Sequence, residues 1–178
     1  MKILSLSLLI LLIFQSAAFP SQEMIDFRLA YDQEKKDTVF FHDKDICPIY
    51  VEKKSVLKTS DLKRAAVVIK NETLSILSDP EVQKVIDSIP NPQVYIELLF
   101  NNQGKDKFAN VTSKNIGNRI AIFIDGKIIM APKIMNKVAD GKAMITTGYT
   151  EDEAKDIVKR INKQIGIKSS EPPPSADR

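Results

Sequence analysis

The sequence predicts an α+β fold in which helices pack on one face of a mainly antiparallel sheet. Three observations lead to this prediction: short strands of alternating hydrophobicity, a tight turn between two of them, and amphipathic helices between and after the strands. The 178 residues suffice for one domain of ordinary size. We expect this domain to occupy residues 19–167 and to be followed by a disordered tail over residues 168–178.

The first half of the sequence contains few clear signals of regular secondary structure. Residues 24–30 and 66–70 have the apolar composition of strands. Residues 35–54 are charged and irregular, and we expect them to contain little strand. A proline at the first helical position predicts a helix over residues 80–89, with apolar residues on its buried face.

The second half of the chain carries the clearer pattern. Alternating apolar residues predict a strand over residues 94–100, and a helix over residues 104–116 follows and ends at a left-handed glycine cap. Another short strand is expected over residues 143–147. Thr150, with Glu153 three residues later, forms a capping box that begins the last helix.

A hairpin around Asp125-Gly126 has apolar residues on both faces. Both turn positions need a positive φ, so this pair predicts a two-residue turn between two apolar runs. The apolar side chains are expected to divide between two faces: Ile122, Ile124, Ile128 and Met130 on one, Phe123 and Ile129 on the other. Such strands need cover on both sides. The cover is either the helix over residues 80–89 or a partner segment, with residues 142–147 presenting the sheet edge.

The first 18 residues have the layout of a secretory signal peptide. Lys2 supplies the positive end, an apolar run extends to Phe14, and Ser16 and Ala18 are small residues suited to signal peptidase. The apolar run is shorter than the roughly 20 residues that span a bilayer. We therefore expect cleavage after Ala18 and an exported protein, periplasmic or secreted, with no stable membrane span in the mature chain.

Composition excludes several classes of function. Lys and Arg total 26 against 23 Asp and Glu, a balance that argues against nucleic acid as a partner. The sequence has one His and one Cys, so it cannot close an internal disulfide or assemble the usual zinc sites. No cofactor is predicted.

One short segment contains a dense cluster of possible metal ligands, namely His42, Asp43, Asp45 and Cys47. A calcium loop would need a glycine where Cys47 and Pro48 stand. A nucleophile would need His42 as its base, and no G-x-S-x-G elbow is present. We predict a protein that is not an enzyme, and we assign no catalytic, metal-ligating or binding residue. The alternative is a small exported hydrolase or metal-binding protein centred on His42.

Several motifs in the second half resemble a known family. In chain order they are Gly104…Phe108…Thr112, Asn115-Ile116-Gly117, Asp125-Gly126-Lys127, Ala131-Pro132 and Gly148-Tyr149-Thr150. They are similar to the head subdomain of the first periplasmic domain of SecD, a subunit of the protein-export translocase. The resemblance covers about residues 55–165.

The resemblance implies an α+β module that engages emerging polypeptide, here as a stand-alone exported copy linked to protein export. We expect a binding module that contacts polypeptide or a protein partner. The contact would use an exposed sheet edge or an apolar groove between sheet and helix. A structural or inhibitory protein that keeps only the fold is a further alternative, because a fold does not determine a function.

Overall fold

The computed structural model describes residues 23–43, 46–70, 93–146 and 148–167. The expected signal peptide, the expected helix over residues 80–89 and the expected tail lie outside the described residues. The described strands are β1 (Ile25–Tyr31), β2 (Thr38–Asp43), β3 (Ile46–Lys58), β4 (Leu62–Lys70), β5 (Gln93–Phe100), β6 (Arg119–Ile124), β7 (Lys127–Met130) and β8 (Lys142–Thr146). The described helices are α1 (Asn102–Lys114), α2 (Glu151–Gln164) and a single 3-10 turn (Thr59–Asp61).

The strands form two sheets, and every described strand pair is antiparallel. One sheet has the order β2-β3-β1-β6-β7 and the other has the order β4-β5-β8. The main hydrophobic core draws side chains from both sheets and both helices. At its centre the rings of Phe27, Phe100 and Phe108 lie with centroids 4.9 to 6.0 Å apart, so each sheet and α1 contribute one ring. The predicted α+β class is confirmed.

Local signals place both helices close to the predicted bounds. Asn101 accepts a hydrogen bond from the Gly104 amide at 2.8 Å, so α1 begins two residues before the expected start. Gly117 has the expected positive φ of 89°, but α1 ends at Lys114 with Asn115 as its C-cap, so Gly117 is not the cap of the helix. It lies in the turn that follows, where the Asn118 amide donates to the Asn115 carbonyl at 3.1 Å. The capping box of α2 is present, with the Thr150 amide donating to Glu153 at 2.8 Å.

The expectation that residues 35–54 contain little strand is wrong. This region forms β2 and much of β3, which pair with Val39 opposite Val51 and Phe41 opposite Ile49. Ile49 and Val51 are buried two residues apart, but charged residues follow them directly and weaken the alternation in the sequence. Register shifts between β1 and β3 interrupt the pattern further.

The hairpin has the predicted turn but a different division of its side chains. Both turn residues have positive φ, 50° and 75°. A two-residue turn places Ile128 directly opposite Phe123, so these two side chains share a face and Ile129 packs against the main core. The expected faces of Ile128 and Ile129 were therefore wrong. A register shift places Met130 opposite Ile122, on the face predicted for both.

The second face of the hairpin is covered by the curl of its own sheet. Phe41 on β2 packs edge-on against Phe123 on β6, with ring centroids 5.9 Å apart. These strands are three positions apart in the sheet, about 14 Å if the sheet were flat, so the sheet must be strongly curved. Phe123 is 2% exposed and Ile128 is 8% exposed. Of the two alternatives for this face, a partner segment is therefore not needed. The expected helix over residues 80–89 lies outside the described residues.

Candidate functional site

An apolar groove lies beside strand β8. It has a volume of about 370 Å³ and is bounded by α1, β6, β8 and the segment that connects β7 to β8. We call it the β8 groove. Its apolar lining is formed mainly by Phe108, Ile120, Ile122, Ile134, Val138, Ala143 and Met144. The groove is therefore large enough to accept one or two side chains of an extended peptide.

The connecting segment is held in place by hydrogen bonds to α1 and to the turn between α1 and β6. The amide of Ile134 donates to the Asn118 carbonyl at 2.8 Å, and the Ile134 carbonyl accepts from Gly117 at 2.8 Å. Further along, the Val138 amide donates to the Thr112 hydroxyl at 3.0 Å. Thr112 is 1% exposed, and its hydroxyl also donates to the Phe108 carbonyl at 2.8 Å. These bonds preform the wall of the groove.

Two methionines stand at the opening of the groove. Met135 is 68% exposed and Met144 is 40% exposed, and both line the groove. Methionine is unbranched and polarisable, so it adapts to differently shaped apolar partners. Met144 lies on the strand expected to present the sheet edge, whereas Met135 lies outside that prediction, because an isolated methionine in a loop carries no periodic signal.

Strand β8 occupies the edge of the β4-β5-β8 sheet, where we expected it. The Phe100 amide donates to the Gly141 carbonyl at 2.9 Å, and this pair continues the β5–β8 register. Backbone groups alternate along an antiparallel strand between pointing toward the partner and pointing away. The N–H and C=O groups of Lys142, Met144 and Thr146 therefore point away from β5.

The opposite edge of the same sheet is covered by helix α2. The Asn162 side chain accepts from the Ala65 amide at 2.8 Å and donates to the Ala65 carbonyl at 2.9 Å. An amide side chain thus takes the place that a neighbouring strand would have at this point of β4. Covering an edge in this way prevents further strand pairing. Among the described strands of this sheet, β8 is therefore the edge strand whose outward N–H and C=O groups lie beside an apolar groove.

Two exposed ion pairs lie near the groove. Arg119 lies 2.6 Å from Asp32, and its hydrogen bond lowers the pKa of the Asp32 carboxyl, with a smaller contribution from Lys133. The Lys142 ammonium lies 3.5 Å from Glu97. Arg119 therefore forms a surface ion pair at the start of β6.

In the described part of the chain, the candidate ligands of the His42 cluster are not brought together as a site. His42 on β2 and Cys47 on β3 are both exposed, whereas Asp45 lies outside the described residues. Among the residues described, no three His, Cys, Asp or Glu side chains are grouped as metal ligands. In the same part of the chain, no helix has the length and apolarity needed to cross a membrane.

A known protein family matches half of the chain. The family described as "SecDF, P1 head subdomain" matches residues 75–163. Protein translocase subunit SecD of Aquifex aeolicus is 30% identical over 133 residues, which are 71% of this chain and 23% of that protein. The SecD subunit of Acidaminococcus fermentans is 38% identical over 65 residues, or 36% of this chain and 16% of that protein. The chain thus spans a quarter or less of the length of these relatives.

A solved structure supports the fold. The structure titled "Structure and function of a membrane component SecDF that enhances protein export" superposes with a TM-score of 0.54 at 21% identity. The match covers 78% of this chain and 61% of that one. At this identity the likeness establishes a shared fold and nothing finer.

Proposed function

Because the chain belongs to the family of the SecDF P1 head subdomain, a family related to protein export, we propose that it is an exported, non-enzymatic module that binds extended polypeptide. The module comprises residues 19–167, and binding takes place at the β8 groove. The observation that carries the proposal is the outward-facing backbone of Met144 directly beside the groove.

Binding follows from the chemistry of an edge strand. An extended client segment pairs with the outward N–H and C=O groups of Met144 and Thr146 and adds a strand to the sheet. Because client side chains alternate in direction, every second one points toward the groove, where Met135 can adapt to its shape. Backbone pairing requires no particular client sequence. Burial of a few hundred Å² contributes several kcal/mol at about 25 cal/mol per Å², before ordering costs, so the binding is weak.

The alternative functions centred on His42 receive no support from the described residues. His42 and Cys47 are exposed, and no third ligand is grouped with them in the part of the chain that the structure describes. A catalytic site would need a positioned base with its orienting partner. We therefore propose binding as the chemistry of this module.

A Met144→Pro substitution should weaken client binding about tenfold, because proline removes the outward N–H and obstructs strand addition. The hydrogen bonds to β5 are made by the neighbouring residues of β8, so the sheet itself should remain paired. Binding is measured by amide-resolved NMR titration of an unfolded client polypeptide into the purified protein.

The matched control is Met144→Leu, which keeps the N–H and the apolar side chain and should bind like the wild type. In wild type we expect shifts confined to residues 142–147 and the walls of the groove. Equal affinities of the proline and leucine variants would contradict edge pairing. An absence of shifts at millimolar client would contradict polypeptide binding at this site altogether.

Export of the module predicts a mature protein that begins at Phe19. The small residues Ser16 and Ala18 suit signal peptidase, whereas Ala18→Leu should leave the precursor uncleaved. N-terminal sequencing of exported material tests this prediction. Recovery of wild-type chains that retain Met1 in a membrane fraction would contradict it.

A further inference from the structure

The opening of the β8 groove carries an excess of positive charge. Lys133 and Lys142 are exposed and line the groove, and Lys137 is exposed in the segment between them. We call these three lysines the basic rim. On the neighbouring helix, the aliphatic carbons of Lys105 pack against Gly141 at the start of β8. Two of these lysines therefore line a groove that is otherwise mainly apolar, and the other two lie on α1 and on the connecting segment that bound it.

Few carboxylates offset this charge. The described residues that line the groove include no Asp or Glu. Glu97 is shared between Lys142 at 3.5 Å and Arg64 at 3.9 Å, and Asp32 is engaged by Arg119 at 2.6 Å. Asp140 is exposed and accepts a hydrogen bond from the Lys142 amide at 3.1 Å. Glu97 and Asp32 each pair with a cation, whereas Asp140 accepts from a backbone amide and offsets one positive charge. The three lysines of the basic rim outnumber this carboxylate, so the opening of the groove remains positive.

We propose that the β8 groove selects extended segments in which an apolar residue is flanked by Asp or Glu. This inference rests on the proposed function and names its class of client. The apolar side chain enters the groove, and flanking carboxylates meet the basic rim. Exposed ion pairs are individually weak and are screened by salt. Three such pairs together should favour an acidic over a basic client by about tenfold at low salt.

The arrangement favours a peptide over an anionic membrane as the occupant. The lysines border a recess next to an edge strand, whereas a lipid surface needs basic residues presented together on an open face. An extended peptide satisfies the backbone of β8, the apolar lining and the basic rim at the same time.

The test uses three peptides with the same apolar centre and with Asp, Ser or Lys at the flanking positions. Their dissociation constants for the purified protein are measured by fluorescence anisotropy at low and at high salt. We expect the order acidic, neutral, basic from tight to weak, with about a tenfold range at low salt that shrinks at high salt.

A triple variant, K133Q/K137Q/K142Q, should bind all three peptides with nearly the affinity that the wild type has for the neutral one. The matched control is K63Q/K159Q/K163Q, which removes the same charge from exposed positions on β4 and α2 and should keep the discrimination. If the control loses discrimination equally, net charge and not the basic rim is responsible, and the inference is overturned.

The remaining outcomes separate this inference from the proposed function. If the neutral peptide binds and the acidic one binds no tighter, the charge preference is wrong while polypeptide binding stands. If no peptide binds, the proposed function fails as well. If vesicles of anionic lipid bind through the basic rim and displace the acidic peptide, the rim recognises a lipid surface and the inference is overturned.

Discussion

A Gly104→Ala substitution is expected to destabilise the protein by about 3 kcal/mol, although alanine is the better helix former. A Cβ atom at Gly104 would lie 2.2 Å from the carbonyl oxygen of Asp61, a contact that no side-chain rotation relieves. The same carbonyl accepts the Asn101 amide at 2.9 Å, and Asp61 is 3% exposed. The start of α1 would have to move away from the 3-10 turn after β3.

Equilibrium unfolding in urea measures this effect. The matched control is Gly148→Ala, because a Cβ there meets nothing within 4 Å in the described structure, and its effect should stay within about 0.5 kcal/mol. A neutral or stabilising effect of Gly104→Ala would mean that helix propensity outweighs the steric clash with the Asp61 carbonyl. That result would contradict the close approach of α1 to Asp61.

An Arg28→Ala substitution is expected to cost about 3–5 kcal/mol, because it leaves the carboxylate of Asp26 buried without its cation. The two residues are 4% and 1% exposed, and the Arg28 guanidinium lies 2.6 Å from the carboxylate. It also donates to the Lys53 carbonyl at 3.1 Å and stacks over Phe123 at 5.2 Å. The second carboxylate oxygen of Asp26 has no hydrogen-bond partner among the described residues.

The double variant D26L/R28M separates loss of the charge pair from loss of packing. It should recover most of the stability lost in Arg28→Ala, since apolar residues of similar volume replace a buried ion pair at little cost. Arg64→Ala serves as a surface control, because the Arg64 guanidinium lies 3.9 Å from the Glu97 carboxylate in a partly exposed ion pair. This substitution should lower the free energy of unfolding by at most about 1 kcal/mol. Equal losses in the single and double variants would show that packing, not an unpaired charge, dominates.

The elements after residue 93 were predictable because their signals are local. The Asp125-Gly126 turn depends on two residues that tolerate positive φ, and the capping box of α2 depends on Thr150 and Glu153. Strand β5 has one face buried, so its alternation is clear in the sequence. Each of these signals lies within a few consecutive residues.

The β2–β3 hairpin was not predictable in the same way. Its inward side chains, among them the buried Ile49 and the partly buried Phe41, are covered only because the five-stranded sheet curls over them. The division of Ile128 and Ile129 between faces likewise depends on the pairing register and its shift near the turn. A residue-by-residue pattern does not contain this information.

By itself, the sequence determined the α+β class, the two helices, the tight turn and the placement of an edge strand near residue 142. These depend on backbone preferences and periodicity over short windows. Only the tertiary structure decided that Asn162 covers one edge of the small sheet and that the β8 groove lies beside the other. The physical reason is distance along the chain, since Asn162 and Ala65 are 97 residues apart and meet only when α2 packs against β4 of the small sheet.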